Sequence, residues 1–270
     1  DNAPAGSTFS VQGTAPVGLV FSADGAFTYT PPALFTGAAT FDYQVCLPAP
    51  ETAVCATATV TINVNAGTLQ ANDDDFRSLV LDANAGGTTN SVLANDTHNG
   101  AIPPDPSEVV LSLVGAPSGY VVNPNGTISV PGGAAAGQVE FNYQMCEVAL
   151  PGNCSSAAVL LLLSPVANND NFSTQVGVPL ANSVAGNDNV PAGSAFEVSG
   201  TAPAGLVFNP DGSFVYTPPV GTQGAVTFAY QVCLPAPNTL VCTTATVTLN
   251  VNAGTLVAND DDFRATPVDP

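Results

Sequence analysis

The sequence predicts an all-β chain built from tandem β-sandwich domains, and three observations carry that prediction. Residues 41–64, FDYQVCLPAPETAVCATATVTINV, alternate apolar and polar side chains on both sides of a Pro-rich loop bounded by two cysteines. Such alternation reads as two antiparallel strands closed by a hairpin. The stretch returns as residues 228–251 (FAYQVCLPAPNTLVCTTATVTLNV) and, more loosely, as 141–163 (FNYQMCEVALPGNCSSAAVLLLL), so the chain divides into three units of roughly 90 residues, each large enough to bury a core. Glycine and proline are frequent, 25 and 24 residues, and no apolar stretch keeps a helical period over three turns, as an all-β composition requires.

The elements follow in order within the complete third unit. Residues 167–172, ANNDNF, open it and lead into a strand around 173–180, after which a second Asn-Asp pair stands at Asn187 and Asp188. A short strand at Phe196 to Val198 precedes a hairpin over 206–216, folded about Asn209-Pro210-Asp211-Gly212, where Pro presets φ and Gly accepts positive φ. Ala23-Asp24-Gly25 and Asn123-Pro124-Asn125-Gly126 are its equivalents. A Thr-Pro-Pro break at Thr217 and Gly224 then deliver the chain to the cysteine hairpin. About seven strands per 90 residues, with turn signals every 8 to 12, is the pattern of an immunoglobulin-like sandwich.

The first and third units align without a gap, Asp1 on Asp188, Cys46 on Cys233 and Phe76 on Phe263, and the middle unit diverges. The expected division is 1–70, a sandwich lacking its first strand; 71–166, the divergent copy; 167–257; and a tail, 258–270, equivalent to the first strand of a next domain. These ends read either as cuts in a longer repeat polypeptide or as complementary pieces. In the second case the tail of one copy completes the first domain of another through Ala258, Phe263 and Val268.

Charge and cysteine usage narrow the function. The chain carries 21 acidic side chains, two arginines (Arg77 and Arg264), one histidine and no lysine, for a net charge of −19. Nucleic acid is excluded as a partner, because neutralising phosphates needs basic residues. Such a surface suits divalent cations or a salty medium. The absence of lysine also excludes Lys-Asn isopeptide bracing. The cysteines fall as local pairs, Cys46/Cys55, Cys146/Cys154 and Cys233/Cys242. Zinc competes with disulfides for such pairs, but a third and fourth ligand are missing from each. Disulfides in turn predict an oxidising location, extracellular or at the cell surface. The longest apolar run, 157–163, is too short to cross a bilayer, and no signal peptide is read, so the chain is expected to be mature or excised material without membrane insertion.

The succession ANDDDF, NSVLAND (90–96), DGAFTYTPPALFTGAATFDYQVC (24–46) and TATVTINV (57–64) resembles the cadherin-like and bacterial immunoglobulin-like repeats of large bacterial surface adhesins. The resemblance covers nearly the whole chain. It implies β-sandwiches stacked head to tail, a cell-surface or secreted location, and often calcium at the junctions.

Three acidic clusters open units: Asn72-Asp73-Asp74-Asp75, Asn168-Asn169-Asp170-Asn171 and Asn259-Asp260-Asp261-Asp262. Calcium takes six to eight oxygens, and Asp73, Asp74, Asp75, Asp96, Asp188, Asp260, Asp261 and Asp262 are its expected ligands. The bland alternative is a solvated linker in which Asp and Asn cap turns. No catalytic residue is expected. His98, the single histidine, stands in a Thr-His-Asn-Gly turn and is expected to be exposed, and Asp73 and Asp75 sit in a linker without a pocket signal. The run VLLLL (159–163) breaks alternation, so its outer face is expected to meet another domain or subunit rather than be covered within its own. The chain therefore reads as a non-catalytic stalk or filament segment whose partners are copies of itself. The alternative is an adhesive module taking a carbohydrate or protein at a cell surface. An accessory domain of a carbohydrate-active enzyme is a third option.

Overall fold

A computed structural model describes residues 1–254. Among these the regular structure is β throughout, apart from one 3-10 turn at Val92–Asn95 that Ser91 caps by accepting the Leu93 N–H. The described residues group into two compact units. One comprises Asp1–Asp75, Thr88–Ser129 and Glu140–Leu160; the other comprises Phe76–Gly87, Val130–Val139 and the chain from Leu161 onward.

In the first unit, Thr8–Gln12, Gly37–Cys46 and Cys55–Val64 form an antiparallel sheet in that order. Leu19–Phe21 and Phe27–Tyr29 form a hairpin beside it. The hairpin turns at Gly25, φ 89°, a conformation that costs glycine little because it has no Cβ. Phe21 and Phe27 stack on each other, and each meets Phe41 edge to face. Val109–Val114 pairs antiparallel with Gly137–Glu147, and Asp74–Asp75 adds to Cys154–Leu163 as a parallel strand, Asp74 opposite Val159.

The second unit contains the most completely built repeat. Its larger sheet runs Asp170–Gln175, Cys242–Asn252, Gly224–Cys233, Ala195–Ser199, and its smaller one Leu180–Ser183, Ser213–Tyr216, Leu206–Phe208. The opening strand thus ends at Gln175 and a second begins at Leu180, where the sequence suggested one strand over 173–180; Gly177, φ 76°, lies in the intervening turn. Alternation places Phe228, Tyr230 and Val232 of one strand and Ala245, Val247, Leu249 and Val251 of its neighbour in one core.

Leu161, Leu162 and Leu163 are all buried. The 76–87 segment runs alongside them as a parallel neighbour. The Leu81 N–H donates to the Leu162 carbonyl at 3.0 Å, and the Leu81 carbonyl accepts from Ser164 at 2.8 Å.

Candidate functional site

In every repeat the tyrosine three positions before the first cysteine faces an aspartate from a distant turn. The Tyr143 hydroxyl lies 2.7 and 2.8 Å from the two Asp96 oxygens, and the Asn72 N–H donates to the same carboxylate at 2.8 Å. The Asn72 side-chain amide donates to the Asn95 carbonyl at 2.7 Å. In the third repeat Tyr230 lies 2.9 and 3.0 Å from the Asp188 oxygens, the Asn168 N–H donates to Asp188 at 2.7 Å, and the Asn168 amide donates to Asn187 at 2.6 Å. In the first repeat Tyr43 lies 2.6 and 2.7 Å from the Asp1 oxygens. The clasp therefore fastens the Asn-x-Asp strand of a repeat to the loop and strand behind it.

A second carboxyl enters each complete clasp. Asp74 is 6% exposed, and one oxygen of Asp74 and one of Asp170 are buried without a hydrogen-bond partner. Burial, then the charges of Asp96 and Asp73, push the Asp74 carboxyl up to about 7. Burial, then Asp188, push Asp170 up to about 6. Burial also raises Asp96 and Asp188, against the hydrogen bonds they accept from Asn72 and Tyr143, and from Asn168 and Tyr230. Both tyrosines move upward, through burial and then the facing carboxylates. Paired carboxyls in a poorly hydrated place favour holding a proton over holding two charges.

This arrangement does not fit a calcium cage. Asp73 turns away from Asp74 and accepts the Ala158 N–H at 2.8 Å, Asp75 is exposed on the opposite face from Asp74, and both Asp96 oxygens already take hydrogen-bond donors. Among the described residues no group of three or more His, Cys, Asp or Glu side chains is placed to hold a metal ion, whereas calcium asks for six to eight oxygens. Asp260, Asp261 and Asp262, with the proposed contact residues Ala258, Phe263 and Val268, lie outside the described residues.

The cysteines pair as Cys46–Cys55, Cys146–Cys154 and Cys233–Cys242, at S–S distances of 2.03 to 2.04 Å. Cys46 and Cys55, and Cys233 and Cys242, are direct register partners at the inner ends of their hairpins.

His98 departs from expectation. It is 4% exposed, with Nδ1 3.0 Å from Glu108 and Nε2 3.4 Å from Glu147. Glu147 also accepts the Asn153 amide at 3.0 Å and the Gly67 N–H at 3.3 Å, and these bonds, Asn153 foremost, hold its carboxyl below the usual range. Asn153 donates to the Gly67 carbonyl at 2.7 Å, and Asn99 exchanges bonds of 2.9 and 3.0 Å with Thr68. Leu69–Gln70 then pairs with Thr97–His98. The histidine is buried because the connection at 67–70 packs onto its turn. Glu108 and Glu147 lie 10 and 49 residues from it in sequence, and no local pattern announced them.

The family model described as Bacterial Ig domain matches residues 1–63 and 163–252, more than half of the chain. The chain belongs to the bacterial Ig domain family. No curated protein matches it significantly. Among solved structures it is similar to Drosophila N-cadherin EC1-3 (10% identity, 94% of this chain and 91% of that one, TM-score 0.33). It is also similar to mouse Cadherin-23 EC22-24 (14% identity, 94% and 89%, TM-score 0.27) and to the human Desmocollin-1 ectodomain (12% identity, 92% and 54%, TM-score 0.29). The chain spans about half the length of the desmocollin ectodomain.

The two bacterial Ig domains that the family model matches differ at equivalent core positions. Phe214 is 1% exposed in the later domain, whereas its counterpart in the first, Phe27, is 43% exposed. Val247, Leu249 and Val251 are buried, whereas Val60, Ile62 and Val64 are only partly so. In the later domain a parallel strand, Asp170–Gln175, runs beside these residues. The described strands give Cys55–Val64 no such neighbour.

Proposed function

We propose that this bacterial Ig domain chain is a non-catalytic structural segment of an extracellular filament or adhesin stalk. Its repeats extend end to end, and further copies join by strand donation from the tail. The observation that carries this reading is the fastened connection at 67–70, gripped by Glu147, Asn153 and Asn99 and paired with Thr97–His98. A connection so held transmits direction along an array, where a Gly-Ser tether would hinge. Three disulfides support an oxidising, extracytoplasmic setting, and no helix among the described residues is long and apolar enough to cross a membrane. Stiffness is assigned to the gripped connection and the disulfides, since the described carboxylates offer calcium no cage. Electron microscopy of the purified 270-residue protein tests the reading: regular fibres of constant width are expected, and isolated short rods at every concentration would refute the assembly half of it.

A further inference from the structure

We infer that the edge strand Val109–Val114 of the second repeat pairs antiparallel, about Ser112, with the same strand of a second copy of this chain. The contact is lateral and involves neither end of the chain.

This edge is open in the second repeat and sealed in the other two. Val109–Val114 ends its sheet, as Thr8–Gln12 and Ala195–Ser199 end theirs. The three strands share one register, with Thr8, Val110 and Ala195 each opposite the first cysteine of its repeat. In the first repeat the Phe9 N–H donates outward to the Ala23 carbonyl at 3.0 Å, and in the third the Phe196 N–H donates to Pro210 at 3.0 Å. The following hairpin turn thereby closes each edge. Leu111 and Pro124 are the equivalent residues of the second repeat, and among the described backbone bonds none joins them. They instead line a groove of about 240 Å³ with Val109, Val110, Val122 and Asn123. Proteins commonly guard an edge strand with charge. The third repeat does so with the exposed Glu197, whereas Ser112 is its equivalent here, flanked on the same face by Val110 and Val114 at 57% and 49% exposure.

The backbone decides which residues a partner strand can meet. The Val148 N–H donates to the Glu108 carbonyl at 2.9 Å, and antiparallel bonds recur at every second residue. Val110, Ser112 and Val114 therefore bond inward to Gly137–Glu147, and Val109, Leu111 and Leu113 turn their N–H and C=O groups outward. The segment Val110-Leu111-Ser112-Leu113-Val114 reads the same in both directions. A twofold axis at Ser112 uses both facts. It sets Leu111 opposite Leu113 of the second copy as a doubly hydrogen-bonded pair, and Val110 opposite Val114, which is the self-complementary contact of a symmetric dimer. The charge of −19 does not oppose it locally, because residues 109–115 carry no charged side chain. The nearest carboxylate, Glu108, faces Ala116 of the second copy. The two Glu108 residues then lie eight positions apart along the strands, about 26 Å, beyond the screening length of about 8 Å at physiological salt.

Cross-linking of the full chain tests this. The native cysteines are all paired, so Ser112→Cys adds one free thiol at the axis. Facing Cα atoms of a non-hydrogen-bonded pair lie about 4.5 Å apart there, within disulfide reach. Mild oxidation should give a covalent dimer that peptide mapping shows to be joined at position 112 of both copies. Ser10→Cys makes the same change at the equivalent site of the sealed first edge and should stay monomeric. No dimer from Ser112→Cys, or as much from Ser10→Cys, would overturn the inference. Val110→Glu with Val114→Glu opposes like charges twice and should weaken pairing at least about tenfold in sedimentation velocity. Val110→Glu with Val114→Lys opposes unlike charges and should restore it. Both side chains are exposed, so the fold survives either change, and an unchanged association in the first variant or an equal loss in both counts against the contact. Fibres that form without the link at 112 sink this contact and spare the filament reading, whereas the link without fibres does the reverse.

Discussion

The buried carboxyl of Asp74 makes this protein more stable in mild acid, and Asp74→Asn should abolish that component. The Asp74 pKa is raised to about 7 from an ordinary value of 3.8 by burial and by Asp96 and Asp73. The folded state therefore binds the proton more tightly than the unfolded chain does. For a raised acid the contribution is fully present below about pH 4. It is lost progressively as pH rises to about 7, and it is flat above. A shift of this size corresponds to about 4 kcal/mol as an upper bound, or roughly 15 to 30 °C in the melting of a domain of some 90 residues. Relief of self-repulsion at a net charge of −19 acts in the same direction, so the wild type alone cannot isolate the site. The measurement is calorimetry of wild type and Asp74→Asn at pH 4.5, 6 and 8. The curves should nearly coincide at pH 4.5, and the variant should melt higher at pH 8, because its amide carries no charge into the buried position. Parallel pH profiles for the two proteins would refute the reasoning.

Three further outcomes follow from the same geometry. His98→Ala should leave the hairpins folded yet expose the 67–70 connection, and limited proteolysis should cut there at least several-fold faster; an unchanged cleavage rate would show that the Glu147 and Asn153 contacts suffice alone. Cys46→Ser with Cys55→Ser opens a loop whose cysteines are nine positions apart, and the chain-entropy model assigns such a loop about 2 to 3 kcal/mol. The first repeat, with its partly exposed core, should then melt before the others, and a single unshifted transition would contradict this. Chelation by EDTA should leave the melting profile where it was, since no described carboxylate group forms a cage; a fall of several degrees would establish a bound divalent cation.

The hairpins were legible because period-2 alternation and paired cysteines are local signals, and the internal repeat multiplied each of them. The clasp was legible only in part. Alternation says that Asp74 opposes Asp73 and Asp75, but not which face is the core; that is decided by the register of Asp74 against Val159, a contact between segments some 85 residues apart. The tyrosine three positions before each cysteine pointed the same way, and its meaning emerged only with Asp96 and Asp188 beside it. His98 failed because it looks exposed from its own segment and is covered by a distant one, the 67–70 connection.

The clasp also explains how a chain with two arginines and no lysine can bury carboxyls at all. An ion pair is the usual remedy for a buried carboxylate, and breaking one is costly. Here the neutralising groups are instead Tyr143 and Tyr230 hydroxyls and the backbone N–H groups of Asn72 and Asn168. These satisfy one carboxylate of each pair and leave an oxygen of the other, Asp74 or Asp170, without a donor. A proton is the smallest group that can close that account, and it comes from the solvent. The strand that opens a repeat is therefore fastened more firmly as the medium becomes more acidic. Tyr143→Phe separates the hydroxyl from the proton. It removes the donor to Asp96, and loss of a hydrogen bond to a charged group costs about 1.5 to 3 kcal/mol. That loss should be largest at pH 8, where Asp96 is ionised, and should shrink in acid. A loss that is constant across pH would mean that the tyrosine merely packs.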